Sequence, residues 1–320
     1  MDLRPQGQDI IRTWLFSTVV RSHFEHGSLP WSTAAISGWI LDPDRKKMSK
    51  SKGNVVTPLA MLEKYSSDAV RYWAASGRLG TDTALDEGQM KVGRRLAIKI
   101  LNASKFALSV AGENTAADPA AVTEPLDRSM LAVLADVVAD ATAAFQDYDH
   151  TRALERTERF FWDLCDDYLE LVKARAYDAE SQQGASARAA LLIALSVLHR
   201  LFAPFLPFVT EEVWSWWQEG SVHAAAWPSV EEFRAAAAEG DPAVLTATAE
   251  VLGIIRKSKS EAKLSMRAEV DRVTVRGKQA EQARLCREDL AAAGRVAELA
   301  FETSDDTELR VDVSLPETEE

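Results

Sequence analysis

Hydrophobic and polar positions change their periodicity along the chain, and the changes predict different kinds of structure. The first 60 residues show a helical pattern, DIIRTWLFSTVVRSHF, then a turn, HGSLPW, and a strand-like run, AAISGWIL. This order predicts part of an α/β layer. The next stretch, TPLAMLEKYSSDAVRYW, predicts two short helices that meet near Ser66, with Ser67 and Asp68 as candidate N-caps.

Beyond Gly93 the pattern is almost wholly helical. Apolar residues recur three and four positions apart in segments separated by polar or glycine-containing links, which predicts a helical bundle. The segments are LAIKILNASKFAL and, roughly, residues 126–148, 153–176, 185–202 and 210–217. The apolar run at 191–208 is interrupted by His199, Arg200 and two prolines, so we interpret it as a buried core segment and predict no membrane span.

The last part of the chain predicts one more helix and a small α/β tail. Two runs, VDRVTVR and ELRVDVSL, alternate as strands do, around a helix at 278–292. The predicted fold class is therefore mainly α, with an α/β remnant at the start and a small α/β tail. The expected domains are residues 1–60, 61–105, 106–245 and 246–320.

Composition restricts the class of protein further. Of 320 residues, 47% are hydrophobic and 27% are charged, as in folded globular proteins, and the two cysteines, Cys165 and Cys286, are too few for a disulfide framework. Because the N-terminus has no secretory pattern, we expect a cytoplasmic protein. A net charge of −12 argues against a protein that coats nucleic acid nonspecifically. Residues 1–110 carry +6 and the remainder −18, so positive charge is localised.

The densest positive segment is RKKMSKSKGN, residues 45–54, with five cations in ten residues. Lysines on a segment rich in serine and glycine that follows a strand suit a polyphosphate, because ammonium groups on long stems can follow the charge that develops on its oxygens. Gly53 allows a sharp turn there. Charge alone also fits a solvated surface loop.

The order of the letters favours the first interpretation. Residues 47–51 read KMSKS, the signature of the class I aminoacyl-tRNA synthetases. Three other stretches, MDLRPQGQDIIRTWLF, KGNVV and SSDAVRYWAASGRLGTDTALDE, resemble the valyl-tRNA synthetases. Downstream, FFWDLCDDYLELVKAR and HRLFAPFLPFVTEEVW resemble helices of that family's anticodon-binding bundle. The resemblance covers nearly the whole chain and is weakest after residue 245.

The resemblance implies a Rossmann-like catalytic region followed by stem-contact helices and an anticodon-binding domain. It implies an enzyme that joins valine to ATP, with Mg2+ accompanying the ATP, and transfers the acyl group to tRNA(Val); the parent enzyme is expected to be monomeric. Carried over, Lys47 and Lys50 contact the triphosphate with Ser49 and Ser51 beside them. The other implied positions are Gly7 and Asp9 at the ATP nucleoside and Trp14 in the amino-acid pocket. Trp14 also fits a core position of an amphipathic helix.

The same resemblance implies a tRNA surface, and no metal site is predicted. A cluster of cations on a predicted helix, which we propose as phosphate contacts, comprises Arg256, Lys257, Lys259, Lys263 and Arg267. Three bundle tryptophans, Trp214, Trp216 and Trp217, are interpreted as core and not as base-stacking platforms. His23 and His26 are interpreted as ordinary surface residues. The segment DAVR, 68–71, is expected to support the KMSKS loop.

One family feature is missing from the sequence. No HIGH-like motif occurs, so we expect the chain to be the C-terminal part of a longer synthetase. Half of a doubly wound sheet exposes an unpaired edge and apolar surface. The isolated chain is therefore expected to have a poorly protected N-terminal portion and no valine-dependent exchange of pyrophosphate into ATP. The alternative is a stand-alone tRNA-binding protein derived from the same region.

Overall fold

The computed structural model describes residues 1–112, 117–302 and 308–316, without the side chain of Lys50. The predicted fold class is confirmed: two small parallel sheets lie near the start, helices fill the middle, and a mixed sheet lies near the end. The hydrophobic core runs continuously from Tyr72 to Leu299, so the bundle and the tail are packed together.

The first layer is a parallel strand–helix–strand unit. Strand β1 (Leu3–Gly7) leads through a 3-10 turn and a π-helical turn (Ile11–Leu15) into helix α1 (Phe16–His26), and the chain returns in strand β2 (Thr33–Ser37). Strands β1 and β2 pair in parallel from Leu3 with Thr33 to Gly7 with Ser37. None of the residues of α1 is buried.

A second parallel pair follows the first. Strand β3 (Ile40–Leu41) pairs with strand β4 (Thr83–Ala84), and the signature loop and two helices lie between them in sequence. These helices are α2 (Pro58–Tyr65) and α3 (Ser67–Ala75), and the long helix α4 (Glu87–Ala111) follows β4.

The helical bundle buries most of the apolar surface of the chain. Its further helices are α5 (Pro125–Gln146), α6 (His150–Asp163), α7 (Leu169–Ala176), α8 (Gln182–Phe202), α9 (Pro207–Trp214), α10 (Arg234–Ala237) and α11 (Pro242–Glu261). By length and composition alone, two of the described helices, α5 and α8, could cross a membrane, but 83% of the apolar stretch of α8 is buried inside the fold. The interpretation of this run as a core segment is confirmed.

The tail contains more elements than the sequence pattern predicts. Strand β5 (Val270–Arg276) is followed by α12 (Ala280–Arg284), α13 (Arg287–Gly294), β6 (Val296–Glu302) and β7 (Arg310–Ser314), in the sheet order β6-β5-β7. Strand β6 was not predicted because its residues, VAELAFE, include alanine and glutamate, which have low strand propensity. Its pairing with β5 supplies the missing preference.

The segment DAVR joins α3 to the bundle. The Asp68 carboxylate accepts hydrogen bonds from the backbone N–H groups of Phe208 (3.1 Å) and Val209 (2.8 Å) at the start of α9, where unpaired N–H groups favour a negative charge. Arg71 donates to the carbonyl of Pro204 at 2.8 Å. Burial raises the pKa of Asp68. The expectation that DAVR supports the KMSKS loop is wrong, and Asp68 caps a different helix from its own.

A buried ionic network holds the bundle and the tail together. Asp127, fully buried on α5, accepts two hydrogen bonds from the Arg175 guanidinium, at 2.6 and 2.8 Å. It also accepts the hydroxyl protons of Tyr168 (2.7 Å) and Ser186 (2.6 Å). Arg175 donates its remaining Nε–H to Asp289 on α13 at 2.8 Å. If the Asp127 carboxylate is removed, Arg175, Tyr168 and Ser186 therefore each lose a hydrogen-bond acceptor.

The buried histidine of α8 makes stability depend on pH. Burial lowers the pKa of His199 to about 3, while its Nε2 lies 3.0 Å from the Ser104 hydroxyl. In the unfolded chain the imidazole of His199 is protonated as pH falls below about 6.5, whereas in the folded chain it stays neutral down to about pH 3. The stability present at neutral pH is therefore lost progressively as pH falls from about 6.5 to about 3. The trend has a slope of at most about 1.4 kcal/mol per pH unit.

Substituting this histidine tests the assignment. We expect His199→Gln to flatten the decline in unfolding free energy between pH 6.5 and pH 4, measured by urea denaturation. The matched control, His26→Gln at an exposed position on α1, should keep the wild-type slope. Equal slopes for wild type and His199→Gln would contradict the assignment.

Candidate functional site

The candidate site lies where the carboxyl ends of the N-terminal strands meet. Gly7 and Ser37 end β1 and β2 as register partners, and β3 ends at Leu41. In open parallel sheets, ligands bind beyond these ends. Asp9, Trp39 and Lys47 follow or flank the three strands, so residues far apart in sequence converge at one edge.

The signature loop is closed by a pair of polar side chains. Asp42, buried after β3, accepts the backbone N–H of Lys46 at 2.7 Å and the side-chain amide of Asn54 at 2.8 Å. Asn54 accepts the N–H of Ser49 at 3.0 Å. The hydrogen bonds from Lys46 and Asn54 lower the pKa of Asp42. The loop is therefore fixed at both ends, while Lys46, Lys47 and Lys52 within it are exposed.

The small residues of the loop form its turns. The Ser49 and Ser51 hydroxyls lie 3.2 Å apart, and the backbone N–H of Lys52 donates to Ser49 Oγ at 3.3 Å. Gly53 has φ +67°, and a Cβ there would meet no atom within 4 Å, so the backbone conformation is the reason for glycine. Arg45 also has a positive φ of 62°. The loop is thus a compact turn.

Lys47 and Asp9, both predicted to contact ATP, lie together in the structure. Lys47 Nζ is 3.1 Å from Asp9 Oδ1 and 3.6 Å from the centroid of the Trp39 ring. The two charged side chains are half-exposed, at 50% and 56%, and such pairs contribute at most about 1 kcal/mol. A stronger anionic ligand can therefore displace Asp9 from Lys47. The Lys50 side chain lies outside the described part of the structure, so its role stays a prediction.

Trp14 is not a core residue of the described chain. Its side chain is 54% exposed, in the π-helical turn that precedes α1, and the Arg4 guanidinium lies 5.7 Å from its ring. It lines an open groove with Ser17 and Arg21 of α1. Single π-helical turns are frequent at functional sites. Its assignment to an amino-acid pocket remains a prediction. His23 and His26 are exposed on α1, as interpreted.

Sequence reasoning missed Trp39 and Asp82, two residues that build the site. Asp82 Oδ1 accepts the backbone N–H of Trp39 at 2.8 Å and the side-chain amide of Gln8 at 3.3 Å. The neighbouring Gly38 packs against the backbone of Thr81 so closely that a Cβ would lie 2.1 Å from the carbonyl oxygen. The only sequence signal was the resemblance of GTDTALDE to the family, which carries no information on pairing.

The predicted cation cluster on α11 is only partly a surface. Lys259 is buried, and its ammonium donates to the carbonyls of Gly294 (2.8 Å) and Met266 (3.3 Å). Burial lowers its pKa. The prediction that Lys259 contacts phosphate is wrong, because the residue lies on the inner face of α11. Its neighbour Arg256 is half-buried and donates to Asp167 and to a carbonyl of the bundle.

The other members of the cluster remain accessible. Lys257 is exposed, with Glu261 at 3.9 Å, and Lys263 and Arg267 are exposed beyond the helix end. The core interpretation is confirmed at Trp214, which is buried against His199, and is wrong at Trp216, which is 39% exposed. Among the described residues, no group of three or more histidine, cysteine or acidic side chains is placed to hold a metal ion.

Helix α4 carries a second cationic face. Lys91, Arg95 and Lys105 are exposed at spacings of four and ten residues, and the side chain of Lys105 lies over the Trp216 ring at 5.9 Å. At 1.5 Å per residue, this face runs about 21 Å along the helix. We call it the α4 face. The apolar periodicity of α4 identified the helix but did not bring out the cations opposite its core.

Comparison with known proteins agrees with this arrangement. Residues 1–86 match the family of class I tRNA synthetases for isoleucine, leucine, methionine and valine, and residues 127–275 match the anticodon-binding domain of tRNA ligases. The chain therefore carries, in this order, a class I tRNA synthetase region and a tRNA-ligase anticodon-binding domain. The predicted resemblance to the valyl-tRNA synthetases is confirmed, with the KMSKS-bearing region followed by an anticodon-binding domain.

Two valine–tRNA ligases measure the similarity. The protein of Thermobifida fusca is 88% identical over 319 residues, which cover all of this chain and 36% of that protein. The protein of Salinispora tropica is 58% identical over 98% of this chain and 39% of its own length. The chain thus spans well under half the length of these synthetases.

A solved structure shows the same fold at greater distance. LeuRS of Agrobacterium radiobacter, in a ternary complex with tRNA and LeuAMS, matches 73% of this chain and 29% of its own with a TM-score of 0.61. The identity is 20%, so this likeness concerns the fold alone.

Proposed function

We propose that this chain is the part of a valine–tRNA ligase that closes on ATP and holds tRNA(Val). In the reaction, the valine carboxylate attacks the α-phosphate of ATP, forming valyl-adenylate and releasing pyrophosphate. A hydroxyl of the terminal tRNA ribose then takes the acyl group, and AMP leaves. The observation that carries the proposal is the contact of Lys47 with Asp9, which joins the loop to the segment after β1 at 3.1 Å.

The residues of the loop have separate roles in this proposal. The ammonium groups of Lys47 and Lys50 stabilise the charge that develops on the leaving pyrophosphate, because positioned cations act most where charge grows in the transition state. Ser49 and Ser51, held in the turn, present hydroxyls beside the phosphates. Valine attacks as a carboxylate, which is already anionic, so positioning replaces a general base. Mg2+ enters as the ion that accompanies ATP.

Gly7 and Asp9 are assigned to the ATP nucleoside. A Cβ at Gly7 would meet only Ser37 Oγ, at 3.9 Å, so nothing within the described fold requires glycine there. Close approach of a ligand supplies the missing reason. The Asp9 carboxylate accepts hydrogen bonds from ribose hydroxyls once Lys47 moves to the triphosphate. Trp14, in the exposed turn before α1, would then form one side of the valine pocket.

The test of the function is valine-dependent exchange of pyrophosphate into ATP, followed by charging of tRNA(Val). We expect both activities from a full-length enzyme that contains this region. We also expect that enzyme to be cytoplasmic. We expect no exchange from the isolated chain, because the residues of α1 are unburied and the chain spans only 36% of the related ligase. A full-length enzyme that binds tRNA(Val) without exchange would favour the stand-alone tRNA-binding alternative.

Gly7→Ala separates the ligand role from a structural one. In the full-length enzyme we expect the KM for ATP to rise about tenfold or more, as close contact with the nucleoside is lost, with the thermal midpoint unchanged. The matched control is Gly253→Ala, in the open middle of α11, where a Cβ meets nothing within 4 Å. An unchanged KM for ATP in Gly7→Ala would contradict the nucleoside assignment.

The tRNA contact is proposed for the α4 face together with Lys263 and Arg267. Phosphates bind exposed cations and release counterions, so affinity should fall with salt. Replacing Lys91, Arg95 and Lys105 by glutamate should weaken binding of tRNA(Val). It should also make the negative slope of log K against log salt less steep by about 2 or more. The control reverses three cations already paired within the fold, Arg78, Arg156 and Arg276. An unchanged salt slope in the α4 variant would remove this face from the interface.

A further inference from the structure

The ammonium of Lys47 is held from two sides. One side is the Asp9 carboxylate at 3.1 Å, and the other is the face of the Trp39 indole, whose centroid lies 3.6 Å from Nζ. A cation within about 6 Å of a tryptophan face is attracted by the negative face of the ring. The ring therefore defines where the first lysine of the signature loop rests.

Trp39 is anchored more firmly than the lysine it contacts. Its backbone N–H donates to Asp82 Oδ1 at 2.8 Å, and its carbonyl accepts the N–H of Thr83 at 2.9 Å. The contact of Gly38 with the Thr81 backbone fixes the preceding residue. The backbone that carries the indole is thus anchored at both its N–H and its carbonyl, whereas Lys47 has a long side chain on a loop.

No hydrogen bond from the edge of the Trp39 ring accounts for its orientation among the described residues. Trp39 Nε1 is buried and has no hydrogen-bond partner among the described residues, although a buried indole N–H usually finds one. The edge of the indole thus makes no hydrogen bond among the described residues, and its face is the part that meets a charge. The Lys47 side chain is 50% exposed even with both contacts, so the ring restricts its rotamers without removing it from solvent.

We propose that Trp39 is a positioning residue that keeps Lys47 aligned for the triphosphate. The catalytic consequence of this inference rests on the proposed function. Both contacts of the ammonium are weak, so a triphosphate can take Lys47 from Asp9, and the ring limits how far the lysine must search. Loss of the ring should slow the step in which charge develops and should leave the affinity for valine unchanged, because valine is not held by this loop.

The contact itself is tested in the 320-residue chain by acetylation with acetic anhydride and mass spectrometry of Lys47, with Lys46, 69% exposed, as the internal reference. In Trp39→Leu, which keeps an apolar side chain and loses the aromatic face, the acetylation rate of Lys47 should rise about two- to fivefold. In Trp39→Phe it should stay near the wild-type rate. The matched control is Trp31→Leu, which removes a ring that lies over Arg4 in the same layer.

The catalytic consequence is tested in the full-length enzyme by pyrophosphate exchange. We expect Trp39→Leu to lower kcat about tenfold with the KM for valine unchanged, and Trp39→Phe to restore most of the loss, as expected for a charge that must be positioned. Circular dichroism and thermal melting of each variant show whether it is folded. If Trp39→Leu misfolds, Trp39→Met, which also lacks an aromatic face, replaces it, and an acetylation rate of Lys47 equal to that of Trp39→Phe would overturn the platform.

The two measurements fail differently. Unchanged acetylation of Lys47 in a folded Trp39→Leu chain overturns the platform. Raised acetylation with a wild-type kcat overturns the positioning role while the contact stands. A wild-type full-length enzyme without valine-dependent exchange overturns the proposed function, and acetylation then still decides whether the ring holds the lysine.

Discussion

Lys50→Ala in a full-length enzyme is expected to slow formation of valyl-adenylate about 10²- to 10³-fold, because one preorganised electrostatic contact to the leaving pyrophosphate is lost. The residue begins the 3-10 turn Lys50–Lys52 within the signature loop. Single-turnover kinetics of adenylate formation and the dissociation constant for tRNA(Val) are the two measurements. We expect the first to change and the second to stay within the error of wild type.

A control from the same turn sharpens this test. Lys52→Ala removes the same charge two residues away, where the side chain is exposed and the backbone N–H already donates to Ser49. Its effect on adenylate formation should be much smaller. Equal losses of rate and of tRNA affinity in Lys50→Ala would mean that the residue acts through tRNA or through folding, and would remove it from the catalytic assignment.

Asp127→Ala is expected to cause the largest loss of stability, about 3–5 kcal/mol, because it leaves the Arg175 charge buried without its main partner. The Tyr168 and Ser186 hydroxyls lose their acceptor at the same time, and each unsatisfied buried group adds its own cost. Arg175 also joins the bundle to Asp289 in the tail, so the two parts should loosen together. Urea unfolding followed by circular dichroism measures the change.

Asp140→Ala is the matched control for this substitution. Asp140 pairs with Arg156 at 2.8 Å, but its side chain is 36% exposed, so the same change of residue should alter the unfolding free energy by less than about 1 kcal/mol. A loss in Asp127→Ala no larger than in Asp140→Ala would show that the network is not a major source of stability.

The fold class was predictable because local patterns carried it. Helices α4, α5, α8 and α11 bury regularly spaced apolar positions, and this spacing can be recognised in the sequence alone. Strand β6 was the exception, since its low strand propensity is overcome only by pairing with β5. Helix 278–292 became two helices, α12 and α13, broken near Cys286.

The candidate site was predictable in its residue types and not in its contacts. KMSKS and the segment around Gly7 and Asp9 were identified from the order of their letters. Their meeting at Lys47 and Asp9 spans 38 residues of sequence, and no local preference encodes it. Trp39 and Asp82 escaped notice for the same reason, because their importance comes from what lies opposite them.

The sequence by itself determined the family, the basic loop and the helical bundle, since these depend on letter order and on periodicity within single elements. Only the tertiary structure decided which cations face solvent and which carboxylates meet which donors. Lys259 turned inward to the carbonyl of Gly294, 35 residues away, and Asp68 capped a helix 141 residues further along. The physical reason is that burial and pairing are properties of two surfaces brought together, and one stretch of sequence specifies only one of them.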